Sequence, residues 1–148
     1  MIERVLRDFA FAKWLEQLRR PESKKHTLRL FPEDAEKDDH ETACCLGHAC
    51  KAIIPNRIKW REGDDGVGPA WVADGIGTYL PPTVAKLLNI TRRGMFITEH
   101  RSGQGVTYKK LTEINDFTSM SPQEIADVIE EKYRNNEFVP RQQGVISE

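Results

Sequence analysis

The stretch ACCLGHAC, residues 43–50, holds all three cysteines of the chain and one of its four histidines. Wound as a helix at about 100° per residue, it puts Leu46, Ala49, Cys50 and Ile53 on one side. Cys44 and His48, four residues apart, fall on the other, with Cys45 on the flank. The first set reads as core. The second is a short-range pair with chemical capacity, and three readings compete for it. A histidine beside a thiol can lower its pKa and make a nucleophile. A zinc site is the second reading: His40, Cys44 and His48 stand at i, i+4 and i+8, a one-faced row if the helix begins early, with His26 or His100 to supply a fourth ligand. The third is a buried structural cluster, since free cysteine is among the most buried residue types. No zinc-finger spacing and no third orienting group accompany the pair, so scaffold is the expected role. The helix is expected over residues 42–54, where Pro55 stops it; no cofactor is expected, zinc being the alternative.

A chain of 148 residues suits one domain and is long enough to bury a core without disulfide or metal staples. The formal net charge of −1 gives no general pull toward nucleic acid or an anionic membrane. An odd number of cysteines, with no leader-like stretch before them, points to a reduced, cytoplasmic setting. No apolar run approaches the roughly 18 residues of a membrane span.

N-terminal to the cysteines, residues 1–20 read as a helix whose apolar stripe changes sides. Ile2, Val5, Leu6 and Phe9 share one face; Phe11, Trp14, Leu15 and Leu18 share another, turned by roughly 170°. One surface helix of a monomer carries one stripe, so either the helix breaks near Ala10 or its first turns dock on something, a second subunit being the natural candidate. Pro21 closes this element, and HTLRLF (residues 26–31) alternates as a short strand does. Residues 33–41 carry six acids against one lysine and read as a solvated loop; the ligand spacing of a calcium loop is missing.

C-terminal to the cysteines, residues 56–79 contain five glycines together with Trp60 and Trp71. The glycines match no phosphate-binding pattern. A hairpin with packed tryptophans is one reading; a base-stacking loop, with Arg57, Lys59 and Arg61 near, is the other. YLPPTVAKLLNI (residues 79–90) is a short helix opened by proline and closed by Asn89. Residues 94–99 and 106–109 form a hairpin that bears the basic patch of the chain: Arg92, Arg93, Arg101, Lys109 and Lys110 against Glu99. Residues 111–133 hold two helices, the second opened by a capping box at Ser121 and Glu124. No recognition helix follows, and Asp127, Glu130 and Glu131 would repel phosphate, which argues against DNA reading. The tail from residue 135 is expected to be loose.

Four pieces in this order, WLEQL (14–18), CCLGHAC (44–50), YLPPTVAKLLNI (79–90) and LTEINDFTSMSPQEIADVIEE (111–131), resemble a family of small proteins of tailed bacteriophages and prophages. Its members carry CCLG-x-x-C, LP-x-x-VA and L-x-x-LND…EIAD-x-IE motifs, and the resemblance spans roughly residues 14–132. It implies a phage-borne cytosolic accessory protein, with no assigned catalytic residues. His48 inside the cysteine motif, the acidic insertion before it and the leading helix depart from that pattern.

The expected fold is one α+β domain over residues 1–134: four to five helices around a small antiparallel sheet or hairpins, with the first helix a candidate oligomer interface. The expected function is non-enzymatic and host-counteracting. In its most concrete form, a nucleotide-like anionic signal is sequestered, its base stacked on Trp60 and Trp71 and its phosphates held by Arg92, Arg93 and Arg101. A protein–protein inhibitor or adaptor that docks a host protein is the alternative, and a small zinc or thiol enzyme built on Cys44 and His48 a further one.

Overall fold

Helix α1 (Ile2–Arg19) runs without a break. Its second half turns Phe11, Trp14 and Leu18 inward, each 1% exposed or less. The computed structural model describes residues 2–32, 41–63 and 69–141. Strand β1 (Lys24–Lys25) follows α1 and pairs in parallel with β2 (Thr42–Ala43), which leads directly into α2 (Cys45–Ile53). The cysteine helix therefore begins three residues later than its sequence suggests. Cys44 is its N-cap, and the Cys44 Sγ accepts from Gly47 N at 3.3 Å.

The HTLRLF alternation does not become a strand. Leu28 takes a left-handed φ of 72° and stays 71% exposed. Its amide is satisfied by Asp116 Oδ1 at 2.9 Å. The reversal drops Leu30 and Phe31 into the core and lays the Leu30 carbonyl on α2. A Cβ at Gly47 would stand 2.3 Å from that oxygen, so only glycine allows the approach.

A single turn of 3₁₀ helix (Pro55–Arg57) leads to β3 (Ile58–Arg61) and β4 (Ala70–Ala73), an antiparallel pair with Trp60 opposite Trp71. Helix α3 (Pro82–Leu88) has proline at its first position and Asn89, at φ 53° and ψ 48°, as its left-handed cap. Then come β5 (Met95–Arg101) and β6 (Thr107–Lys110), α4 (Leu111–Phe117) and α5 (Pro122–Arg134). The Ser121–Glu124 capping box on α5 is made in both directions, at 3.1 and 2.9 Å. Among the described residues the architecture is α+β, five α-helices with two-stranded sheets, and no helix is long and apolar enough to cross a membrane.

Trp14 sits at the centre. Its indole Nε1 donates to Cys45 O at 2.8 Å, which fixes α1 across the start of α2. Asn115, 1% exposed, does the same from α4: its Oδ1 accepts from Cys45 N, and its Nδ2 donates to His26 O. Each is a buried polar group with its partners in place, as a packed interior requires.

The start of the C-terminal segment is held, while residues 142–148 of the expected loose tail lie outside the described residues. Residues 137–139 lie along β5, with Ile97 N donating to Glu137 O at 2.7 Å and Val139 N to Met95 O at 2.9 Å. Phe138 is 9% exposed and packs on Phe96 and Phe11. The Phe138 side chain, with a partner 42 positions back along the chain, and these two backbone hydrogen bonds together tie down the start of the tail.

Candidate functional site

The cysteine helix is closed to chemistry by its surroundings. Residues 43–50 are all buried. Burial pushes the Cys44 thiol up to about 12 and raises Cys45 and Cys50 as well. His48 is fully buried, and both ring nitrogens are occupied. Nε2 lies 2.8 Å from Lys24 O, a carbonyl that only accepts, so Nε2 carries the hydrogen. Nδ1 is then the acceptor for Gln17 Nε2 at 3.3 Å. Desolvation is the largest influence on this ring and lowers its pKa to about 4, outweighing the Lys24 carbonyl; Lys51 and Arg20 add to the lowering. A neutral imidazole with no free lone pair neither takes a proton from Cys44 nor ligates a metal without breaking these bonds. His40 of the proposed zinc row lies outside the described residues, as do residues 33–40 of the acidic loop. Half-buried His100 sits on β5 opposite Tyr108.

The stacking and phosphate residues read from sequence are placed as follows. Trp60 and Trp71 meet edge to face, ring centroids 5.4 Å apart, across the β3–β4 pair. Trp71 lines a cavity of about 320 Å³ whose cations are Arg20 and Lys51. Arg92 donates from Nε to Leu80 O at 2.8 Å. Arg93 covers the Tyr79 ring, its guanidinium carbon 4.3 Å from the centroid, and bonds the Tyr79 hydroxyl at 2.9 Å. Arg101 is exposed at the far end of β5, opposite Thr107. The structure thus pairs the two indoles with each other, and Arg92 and Arg93 with residues 79–80; no described cavity joins the tryptophans to the three arginines.

A different constellation forms where α1 crosses α5. A cavity of about 510 Å³ opens between the first half of α1, α5 and residues 136–140. Its aromatic wall is the Phe11–Tyr133 stack, centroids 3.8 Å apart and planes 16° from parallel. Leu88, Ile90 and Ile97 add apolar surface. Four cations border it, Arg4, Arg7, Lys132 and Arg134, against Asp8. Two of these are committed elsewhere: Lys132 to Thr98 O at 2.6 Å, and Arg134 to Glu130 at 2.9 Å. Among the described residues Arg4 and Arg7 have no carboxylate in ion-pair range, and Arg7 Nε is buried without a hydrogen-bond partner. Both lie near enough to the Tyr133 hydroxyl to favour its ionisation. Burial and the hydrogen bond to Asp8 prevail, and its pKa rises to about 12, so Tyr133 stays a donor.

The sequence carried a signal for this place that goes with the buried stripe, not the exposed one. Arg7, Phe11, Trp14 and Leu18 recur at helical spacing. Followed toward the N-terminus, the inward face of α1 becomes cationic where it should be apolar. Comparison of the chain with family models, with curated proteins and with solved structures finds no match in any of the three.

Proposed function

We propose that this chain is a non-catalytic binding protein for a nucleotide-like anion, taken up in the cavity between α1 and α5. One observation carries the reading: Arg4 and Arg7, with no carboxylate in ion-pair range among the described residues, border a cavity walled by the stacked Phe11 and Tyr133 rings. A flat π-surface suits a base, and a guanidinium without a carboxylate suits a phosphate. About 510 Å³ lies within the usual range for small-ligand sites. Protonated buried thiols and a neutral His48 support the non-catalytic part. The likeness to phage and prophage proteins supports the biological part, an accessory protein that lowers the free concentration of a host signal molecule.

The experiment is calorimetric titration of the full chain with a panel of mononucleotides and cyclic dinucleotides, using an uncharged nucleoside as control. Arg7→Ala is expected to weaken binding by about tenfold to a hundredfold, the loss of one charge-assisted contact. Trp60→Ala is expected to leave it unchanged. No heat with any anionic nucleotide, together with no nucleotide released from the heat-denatured protein, would overturn the reading. Loss of binding in Trp60→Ala and Arg93→Ala but not in Arg7→Ala would move the site to the β3–β4 hairpin.

A further inference from the structure

Helix α1 is amphipathic in opposite senses along its length. From Ala10 onward its apolar side faces the body. Over residues 2–9 the side facing the body carries Arg7, while Ile2, Val5, Leu6 and Phe9 point to solvent, 73%, 62%, 50% and 62% exposed. Four apolar side chains so exposed make a contiguous patch on the order of several hundred Å², at the upper end of what a monomer leaves bare. Among the described residues, the cavities beside α1 take in Leu6 but not Ile2, Val5 or Phe9.

The pattern on this face identifies what fits it. Ile2, Val5, Phe9 and Ala12 are spaced three, four and three apart, the a and d positions of a helix that pairs with another helix. Ala12 is exposed as well, and Glu16 at the next such position ends the seam. Asp8 flanks the seam on one side and Lys13 on the other. In a parallel pair the residue before one core position lies against the residue five further along in the partner. That rule sets Asp8 of one helix against Lys13 of the other, twice over by symmetry. An antiparallel pair sets like against like or against Leu6 and Leu15. Lys13 Nζ already stands 5.5 Å from the Phe9 ring centroid, at the seam's edge. Phe11, Trp14 and Leu18 put the rest of the protein on the opposite side of the helix, out of the way of such a partner.

We propose that α1 pairs in parallel with α1 of a second copy of this chain, through Ile2, Val5, Phe9 and Ala12, with Asp8 and Lys13 setting the direction. The seam is short of two full heptads. Its area is below the roughly 800 Å² per partner of standard stable interfaces, so the dimer is weak and concentration-dependent. The apolar seam and Lys13 lie outside the α1–α5 cavity, whereas Asp8 borders it and accepts from the Tyr133 hydroxyl, so the dimer is measured in the absence of nucleotide.

Sedimentation equilibrium of the full chain, from low to high micromolar concentration, tests this. The wild type is expected to show a monomer–dimer equilibrium. Phe9→Glu is expected to raise the dissociation constant at least tenfold, with an unchanged circular dichroism spectrum. Lys13→Glu, which sets two carboxylates together, is expected to weaken the dimer several-fold; the double variant Asp8→Lys with Lys13→Asp is expected to recover it. A monomer at every concentration overturns the proposal, as does a dimer indifferent to Phe9→Glu. A dimer sensitive to Phe9→Glu but not to Lys13→Glu overturns the parallel arrangement. A monomer that binds lipid vesicles or an unrelated protein through Phe9 also overturns it, because the face then has a different occupant.

Discussion

Residues 43–50 and residues 2–9 both stand out in the sequence, and the structure treats them in opposite ways. The cysteine stretch holds the reactive side-chain types, three thiols and an imidazole; all four are buried, and Cys44 Sγ and both His48 ring nitrogens have hydrogen-bond partners. The leading half of α1 holds no reactive side chain. It turns arginines toward a cavity and apolar side chains toward solvent. Reactivity of a residue type is thus a poor guide to function here, since environment fixes protonation and access. A mismatch between a side chain and its surroundings is the better guide: an arginine facing inward without a carboxylate, or a phenylalanine facing outward.

The comparison breaks first at Gly47. Replacement by valine is expected to cost about 3 kcal/mol or more, because the new Cβ meets the Leu30 carbonyl, a backbone atom that cannot move aside alone. Chemical denaturation at neutral pH measures it, and a loss below about 1 kcal/mol would mean that the loop over α2 is not rigidly packed.

A second, smaller effect comes from His48. Its folded pKa of about 4 lies below the ordinary 6.5, so the unfolded chain takes up the proton first as pH falls. Stability from the neutral, buried ring is whole above pH 6.5 and is lost as pH drops toward 4. About 2 kcal/mol should be gone by pH 5. Denaturation midpoints of wild type and His48→Gln at pH 7 and pH 5 separate this from the carboxylates. A wild type no more acid-sensitive than the variant between those values would show that His48 is not held neutral.

The smallest expected effect sharpens the other side of the comparison. Phe9→Glu should alter unfolding free energy by no more than about 0.5 kcal/mol under dilute, monomeric conditions, as for an exposed site that touches little. A large destabilisation in dilute protein would show that residues 2–9 are folded against the body.

Much of the fold was legible because its causes are local. Pro82 and Asn89 bracket α3, Ser121 and Glu124 open α5, and the tryptophan-bearing and arginine-bearing hairpins fall where turn residues separate alternating runs. Caps, turns and hairpins join residues a few positions apart, so composition and spacing specify them. The change of apolar side in α1 was visible for the same reason. Its unbroken course was not, because a break and an unpartnered face leave one pattern.

The sequence by itself determined the helices and hairpins, the side on which Trp14 and Leu18 lie, and the doubling of apolar faces in α1. Only the tertiary structure decided that Leu28 reverses the chain where a strand was expected, that Phe138 pins residues 137–139 to β5, and that His48 is spent on Lys24 and Gln17. It also decided that Arg4 and Arg7 meet Tyr133 of a helix more than a hundred residues away. Each of these rests on a contact between distant segments, and no period or spacing along one segment carries the identity of what will lie across from it.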